Sequence, residues 1–135
     1  MSFILMALLA GAAPVSPDAA IGTWKTETRN GIVEIQHCGT SICGRLVSSD
    51  ALHTNPDTRD VHNSDAAKRT RPLRNLLMLN GFRRDTDAWT GGSIYNADDG
   101  KTYGARVTPI SADQLKVRGC VFVPFCKTQT WTRVR

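Results

Sequence analysis

Apolar and polar positions along this chain alternate in short runs and show no sustained helical period. "IVEIQHC" sets Val33 and Ile35 against Glu34 and Gln36, and "QLKVRGCVF" sets Leu115 and Val117 against Lys116 and Arg118. A period of two marks a strand with one buried face. The same reading makes strands of "GTWKTETR", "CGRLVSS", "NLLMLNGFRR", "AWTGGSIYN", "KTYGARVT" and "KTQTWTRVR". Asn30-Gly31 and Asp99-Gly100 predict tight hairpin turns. The expected architecture is all-β, with eight antiparallel strands joined mainly by tight turns. An open sheet of that size exposes two edges, and closure into an up-and-down barrel removes both.

Two stretches fall outside this pattern. Residues 49–74 are polar, include Asn55-Pro56-Asp57, and predict a long connection of a kind that is usually functional or mobile. Residues 3–13, "FILMALLAGAA", form an uncharged apolar run. That run is too short for a membrane-spanning helix and has the length of a signal-peptide core. Gly11 and Ala13 suit cleavage after Ala13, although "MS" supplies no basic residue before the run. The expectation is a signal peptide or disordered leader over 1–20 and one barrel domain over 21–135, with no membrane span.

Composition adds two points. With 135 residues the chain suits a single domain, and its net charge of +5 is its main departure from the ordinary. Its four cysteines form two close pairs without metal-ligand spacing. Three connectivities exist. The local one, Cys38–Cys43 with Cys120–Cys126, needs only that each pair flank a tight turn, and it is the expected one. Disulfides imply an oxidising compartment, hence a periplasmic or secreted protein.

The stretches "GTW", "VEIQHCGTSICGRLV", "NSDAAKRTRPL", "GGSIYNADDGKTY", "LKVRGC" and "TQTWTRV" resemble the bacterial domain-of-unknown-function family 2147, made up of small exported proteins. The resemblance spans nearly the whole chain after residue 20. It implies a lipocalin-like barrel and no assigned activity. In such barrels a Gly-x-Trp on the first strand packs under an Arg from the last, and Gly22, Trp24 and Arg133 match those roles. An indole face is a good seat for a guanidinium, whose donors then reach nearby carbonyls. Arg74-Asn75 departs from the Leu-Gly that usually follows Arg-Pro-Leu in the family, and Ser64 stands where proline is common.

No catalytic motif is present: there is no nucleophile elbow, no phosphate loop and no cysteine outside the pairs. Asp98 and Asp99 read as turn formers before Gly100. His53 and His62 with Asp60 or Asp65 lack recognised ligand spacing, so neither a metal nor a cofactor is expected. Lys68, Arg69, Arg71 and Arg74, with Arg83 and Arg84 beyond, form a basic run that suits an anionic envelope lipid or protein surface. The competing reading is a solvated loop with some Arg paired to Asp60 or Asp65. Nucleic acid is excluded by the expected export and by the lack of interleaved aromatics. The candidate interior comprises Val33, Ile35, Leu46, Leu77, Leu79, Tyr95, Tyr103, Leu115 and Val117. Of these, Val33, Ile35, Leu79, Tyr95, Tyr103 and Val117 are the candidates to line a cavity for a small apolar or amphipathic molecule. A fully packed core is the alternative. The sequence thus favours non-catalytic binding in the cell envelope, with the long connection 49–74 as a lid on the barrel. The second reading is the basic loop on a scaffold barrel.

Overall fold

A computed structural model describes residues 15–135; the apolar run at 3–13 lies outside the described residues. The strands are β1 (Gly22–Lys25), β2 (Ile32–Cys38), β3 (Ser41–Ser48), β4 (Leu76–Asn80), β5 (Arg83–Arg84), β6 (Trp89–Asn96), β7 (Lys101–Pro109), β8 (Gln114–Phe122) and β9 (Phe125–Arg133). They pair antiparallel in the order β4-β3-β2-β1-β9-β8-β7-β6-β5, and a β4–β6 pairing closes the sheet. Both β4 and β5 pair with β6, at Leu79↔Ile94 and at Arg84↔Trp89. The two are therefore one barrel strand interrupted at Gly81, whose φ of +76° few side chains tolerate. Phe82 turns inward at the break and is buried against Gly92, where a Cβ would meet its ring at 2.4 Å. The result is a closed eight-stranded lipocalin-like barrel with both local disulfides, Cys38–Cys43 and Cys120–Cys126, formed.

The predicted two-residue turns are longer than expected. Six residues separate β1 from β2, because Arg29 and Asn30 are both left-handed and the Arg29 carbonyl accepts from the Asp50 amide. Four residues separate β6 from β7, closed by the Gly100 amide donating to the Asn96 carbonyl at 2.8 Å. Tertiary contacts with the long connection thus override the local turn preference. That connection contains a short helix, α1 (Asp50–Thr54), capped by the Ser49 hydroxyl.

The fold also begins before the expected domain start at residue 21. Pro17–Ala20 forms a single 3₁₀ turn with Pro17 and Ala20 buried. It packs at the end of the barrel where β2 turns into β3 and where the first disulfide lies. The opposite end carries the β1–β2, β6–β7 and β8–β9 turns and the long connection.

Candidate functional site

One end of the barrel is sealed by tryptophans. Trp24, Trp89 and Trp131 are all buried, as their size and apolar area demand. Each indole N–H has an acceptor: Trp24 donates to the Ala20 carbonyl at 2.9 Å, Trp89 to the Pro17 carbonyl at 2.8 Å, and Trp131 to Gln129 Oε1 at 2.9 Å. The Arg133 guanidinium lies 4.3 Å from the Trp24 ring centre. It donates to the carbonyls of Ile21 at 3.0 Å, Ala19 at 2.7 Å and Ala112 at 2.6 Å. Gly22 makes this approach possible: its φ is +138°, and a Cβ there would stand 2.3 Å from Arg133 Nη1. Gly22, Trp24 and Arg133 are thus brought together, and they bind the N-terminal turn to the last strand.

Above this floor the barrel is hollow. A cavity of about 910 Å³ opens between the β1–β2, β6–β7 and β8–β9 turns and α1. The interior is therefore neither wholly packed nor wholly open. Val33, Ile35 and Leu79, placed by the sequence among the cavity candidates, are fully buried and do not line it. They sit on the lower strand segments, where Trp24 and Ile42 fill the space. Tyr103 and Val117 do line the cavity, together with Leu46, Ile94, Val121, Phe125 and Trp131.

Alternation along β8 and β9 gives the cavity its polar edge. Val117 stands opposite Gln129, and Gly119 opposite Lys127, so Gln129 and Lys127 share the inner face with the buried Val117 and Trp131. Gly119 provides room, since a Cβ there would meet Ile94 at 3.3 Å. At the rim Arg29 pairs with Asp98 at 2.9 Å. Tyr103 donates its hydroxyl to Asp99, and that bond raises the phenol's pKa. Among the described residues no carboxylate pairs with Lys127.

Tyr95 is placed differently from the expectation. It pairs with Thr102, whereas its neighbour Ile94 pairs with Tyr103, so Tyr95 belongs to the outer face of β6. Its ring borders the cavity, but its hydroxyl points outward to Asp60 Oδ1 at 2.6 Å. Asp60 is almost completely buried. Its other oxygen accepts from Asn63 Nδ2 and from Arg71 Nε, both at 2.8 Å. Burial pushes the Asp60 carboxyl up, but the bonds from Asn63, Tyr95 and Arg71 outweigh it and hold the pKa below the usual range. Burial, then the Asp60 carboxylate, pushes the Tyr95 phenol up to about 12. Arg71 also stacks over the Tyr95 ring at 4.9 Å.

This hub pins the long connection to the outside of the barrel. The Asp60 amide donates to the Arg71 carbonyl at 2.9 Å, and the Leu73 amide to the Thr58 carbonyl at 3.0 Å. The Ser64 amide and hydroxyl both reach the Gly100 carbonyl, at 3.0 and 2.9 Å. Gly100 has no room for a side chain, because a Cβ would fall 1.7 Å from the His62 carbonyl oxygen. Apart from α1 at the cavity mouth, the segment 49–74 is thus an outer brace for β6 and β7 and not the expected lid, because its backbone and the Asp60 carboxylate are bonded to the outer face. A smaller polar groove of about 350 Å³, bordered by Lys68, Arg71 and Ser93, lies beneath it.

The basic run does not form one surface. Arg71 is tied to Asp60, and Arg69 donates to the Asn63 carbonyl at 2.8 Å. Lys68 borders the groove and Arg74 is exposed. Arg83 and Arg84 lie at the sealed end, where Arg84 pairs with Asp18 and stacks over Trp89 at 5.7 Å. Among the described residues, no three His, Cys, Asp or Glu side chains gather as metal ligands. Among them, too, no helix is long and apolar enough to cross a membrane. One further feature is legible in the sequence as an uninterrupted apolar run: "VFVPF", the tip of the β8–β9 hairpin, stands at the cavity mouth.

Comparison with known proteins agrees with this architecture. The family model described as "Uncharacterized protein conserved in bacteria (DUF2147)" matches residues 22–133. No curated protein matches the chain. Among solved structures it is similar to one described as "Protein HP1028 from the human pathogen Helicobacter pylori belongs to the lipocalin family". The two share 22% identity over 91% of this chain and 85% of that one, with a TM-score of 0.75, which is a likeness of fold.

Proposed function

The chain belongs to this bacterial family, DUF2147, whose description assigns no activity, and from its half-hollow barrel we propose that it binds a small amphipathic molecule without catalysis. The supporting observation is the mouth cavity of about 910 Å³, apolar toward Trp131 and Val117 and polar at Gln129 and Lys127. That volume lies in the range of small-molecule sites, and a few polar groups around an apolar wall fix a ligand's orientation. The apolar part would lie against Trp131, Ile94 and Val117, with its polar or anionic end at Lys127. The setting proposed is the cell envelope, supported by the two disulfides.

The second reading, an anion surface on the basic loop, has less support. Arg69 and Arg71 are occupied in holding that loop together.

A dansylated fatty acid tests the proposal, because Trp131 lines the cavity and would transfer excitation to a probe bound there. Binding should be saturable and should fall at least about tenfold in Gly119→Leu, whose side chain would project into the cavity. Equal binding by that variant, with an unchanged thermal transition, would show that the cavity is not the site.

A further inference from the structure

The β8–β9 hairpin ends in Val121, Phe122, Val123, Pro124 and Phe125. Four large apolar side chains here are turned to solvent, with Val123 74% and Phe122 62% exposed. Scattered exposed hydrophobics are ordinary, but a contiguous cluster marks an interaction surface. The tip also has internal order. The Phe122 and Phe125 rings pack edge to face with centres 4.9 Å apart, and the Cys120–Cys126 disulfide clamps its base. Such a preformed tip loses little conformational entropy when it is buried.

Charge identifies the surface it fits. From residue 114 to the C-terminus there are five basic residues and no acidic one, so the chain's whole net charge of +5 can be assigned to this segment. Arg133 serves the sealed end and Arg135 pairs with Asp113. Lys116 lies farther down β8, opposite Thr130, whereas Arg118 and Lys127 stand directly behind the tip on opposite faces of the hairpin: Lys127 is opposite Gly119 on the inner face, and Arg118 lies 3.3 Å from Cys126 Sγ on the outer one. Apolar side chains at an extremity with a cation on either side match a lipid interface, where the chains enter the acyl boundary and the cations meet phosphates.

We propose that the β8–β9 tip docks this protein on an anionic lipid surface, with Phe122 and Val123 inserted and Arg118 and Lys127 at the headgroups. Val121 and Phe125 border the cavity, so docking turns the mouth toward the membrane. An amphipathic molecule could then pass between bilayer and barrel with little contact with water. Docking does not require a loaded cavity, so this proposal and the binding reading above fail separately.

Cosedimentation with vesicles tests the docking. The wild type is compared with the double variant Phe122→Ser, Val123→Ser, both carrying the same N-terminal segment. Vesicles of phosphatidylcholine, with and without phosphatidylglycerol, supply the surface. The wild type should bind the anionic vesicles, and high salt or removal of phosphatidylglycerol should weaken that binding. The double variant should lose at least about tenfold in partitioning, because two large apolar side chains no longer enter the interface. Neither residue lines the cavity, so probe binding should persist and report an intact fold. In Phe122→Trp, lipids brominated along their chains should quench the new indole.

Equal partitioning of the double variant, or no quenching in Phe122→Trp, overturns the proposal. So does a concentration-dependent dimer of the wild type, abolished in the double variant, with no vesicle binding; the tip would then join two copies of the chain.

Discussion

Tyr95→Phe isolates the hub that fastens the long connection, since it removes one oxygen and keeps the ring. Tyr95 is the hydrogen-bond donor to Asp60 Oδ1, whereas Asn63 and Arg71 both reach Oδ2. The substitution therefore strands one oxygen of a buried carboxylate. A bond to a charged group contributes about 1.5–3 kcal/mol, which corresponds to roughly a ten- to hundredfold change in a local opening equilibrium. Hydrogen exchange reads this directly. The amides of Asp60, Ser64 and Leu73, bonded to Arg71, Gly100 and Thr58, should lose protection together by that factor. Amides in the centres of β2 and β8 should change less, because their ladders lie away from the brace. Binding of the dansylated probe should persist, since the phenol faces Asp60 and not the cavity. A loss of protection below about threefold at all three amides would refute the hub as the fastening of residues 49–74.

The same hub gives stability a pH dependence at both extremes. The Asp60 carboxyl is held below its unfolded value of about 3.9, so its stabilisation is present above that pH. It is lost as pH falls through the lower folded value, and Asp60→Asn should flatten the acid limb of a denaturant-midpoint series. The Tyr95 pKa is raised from 10.0 to about 12, so its contribution is complete below pH 10 and lost on approaching pH 12. Tyr95→Phe should remove that alkaline component. At the sealed end, Gly22→Ala places a Cβ 2.3 Å from Arg133 Nη1, so Arg133 must leave its seat on Trp24. Loss of the guanidinium's carbonyl bonds should cost about 2–4 kcal/mol in urea unfolding, and Arg133→Lys should fall in the same range. Asn75, at φ +62°, should accept Gly without loss but destabilise on replacement by Val, read as a drop in thermal midpoint.

Much of the barrel was legible in the sequence because period-two alternation and one buried face are local consequences of the pleat. "IVEIQHC" and "QLKVRGCVF" coincide with β2 and β8 residue for residue. "NLLMLNGFRR" was less complete, since only packing of Phe82 over Gly92 requires the interruption at Gly81. The residue at 75 has a structural meaning: its backbone is left-handed, at φ +62°, and Asn is one of the few residues that tolerate this. The site was less legible. Tyr95 alternates as an interior residue would, but strand parity reverses across the irregular register between Trp89 and Gly92. No local pattern could show that the Asp60 carboxylate waits on the outer side.

By itself, then, the sequence determined strand content, barrel closure, the two cysteine pairs and the residues available at each end. Those follow from alternation, edge avoidance and short chain separations. Only the tertiary structure decided how far the interior is filled, which residues line the remaining space, and where the basic run goes. These depend on which distant side chains share a volume: three indoles on one floor, a buried aspartate facing a tyrosine 35 residues away, and an apolar tip left at the mouth.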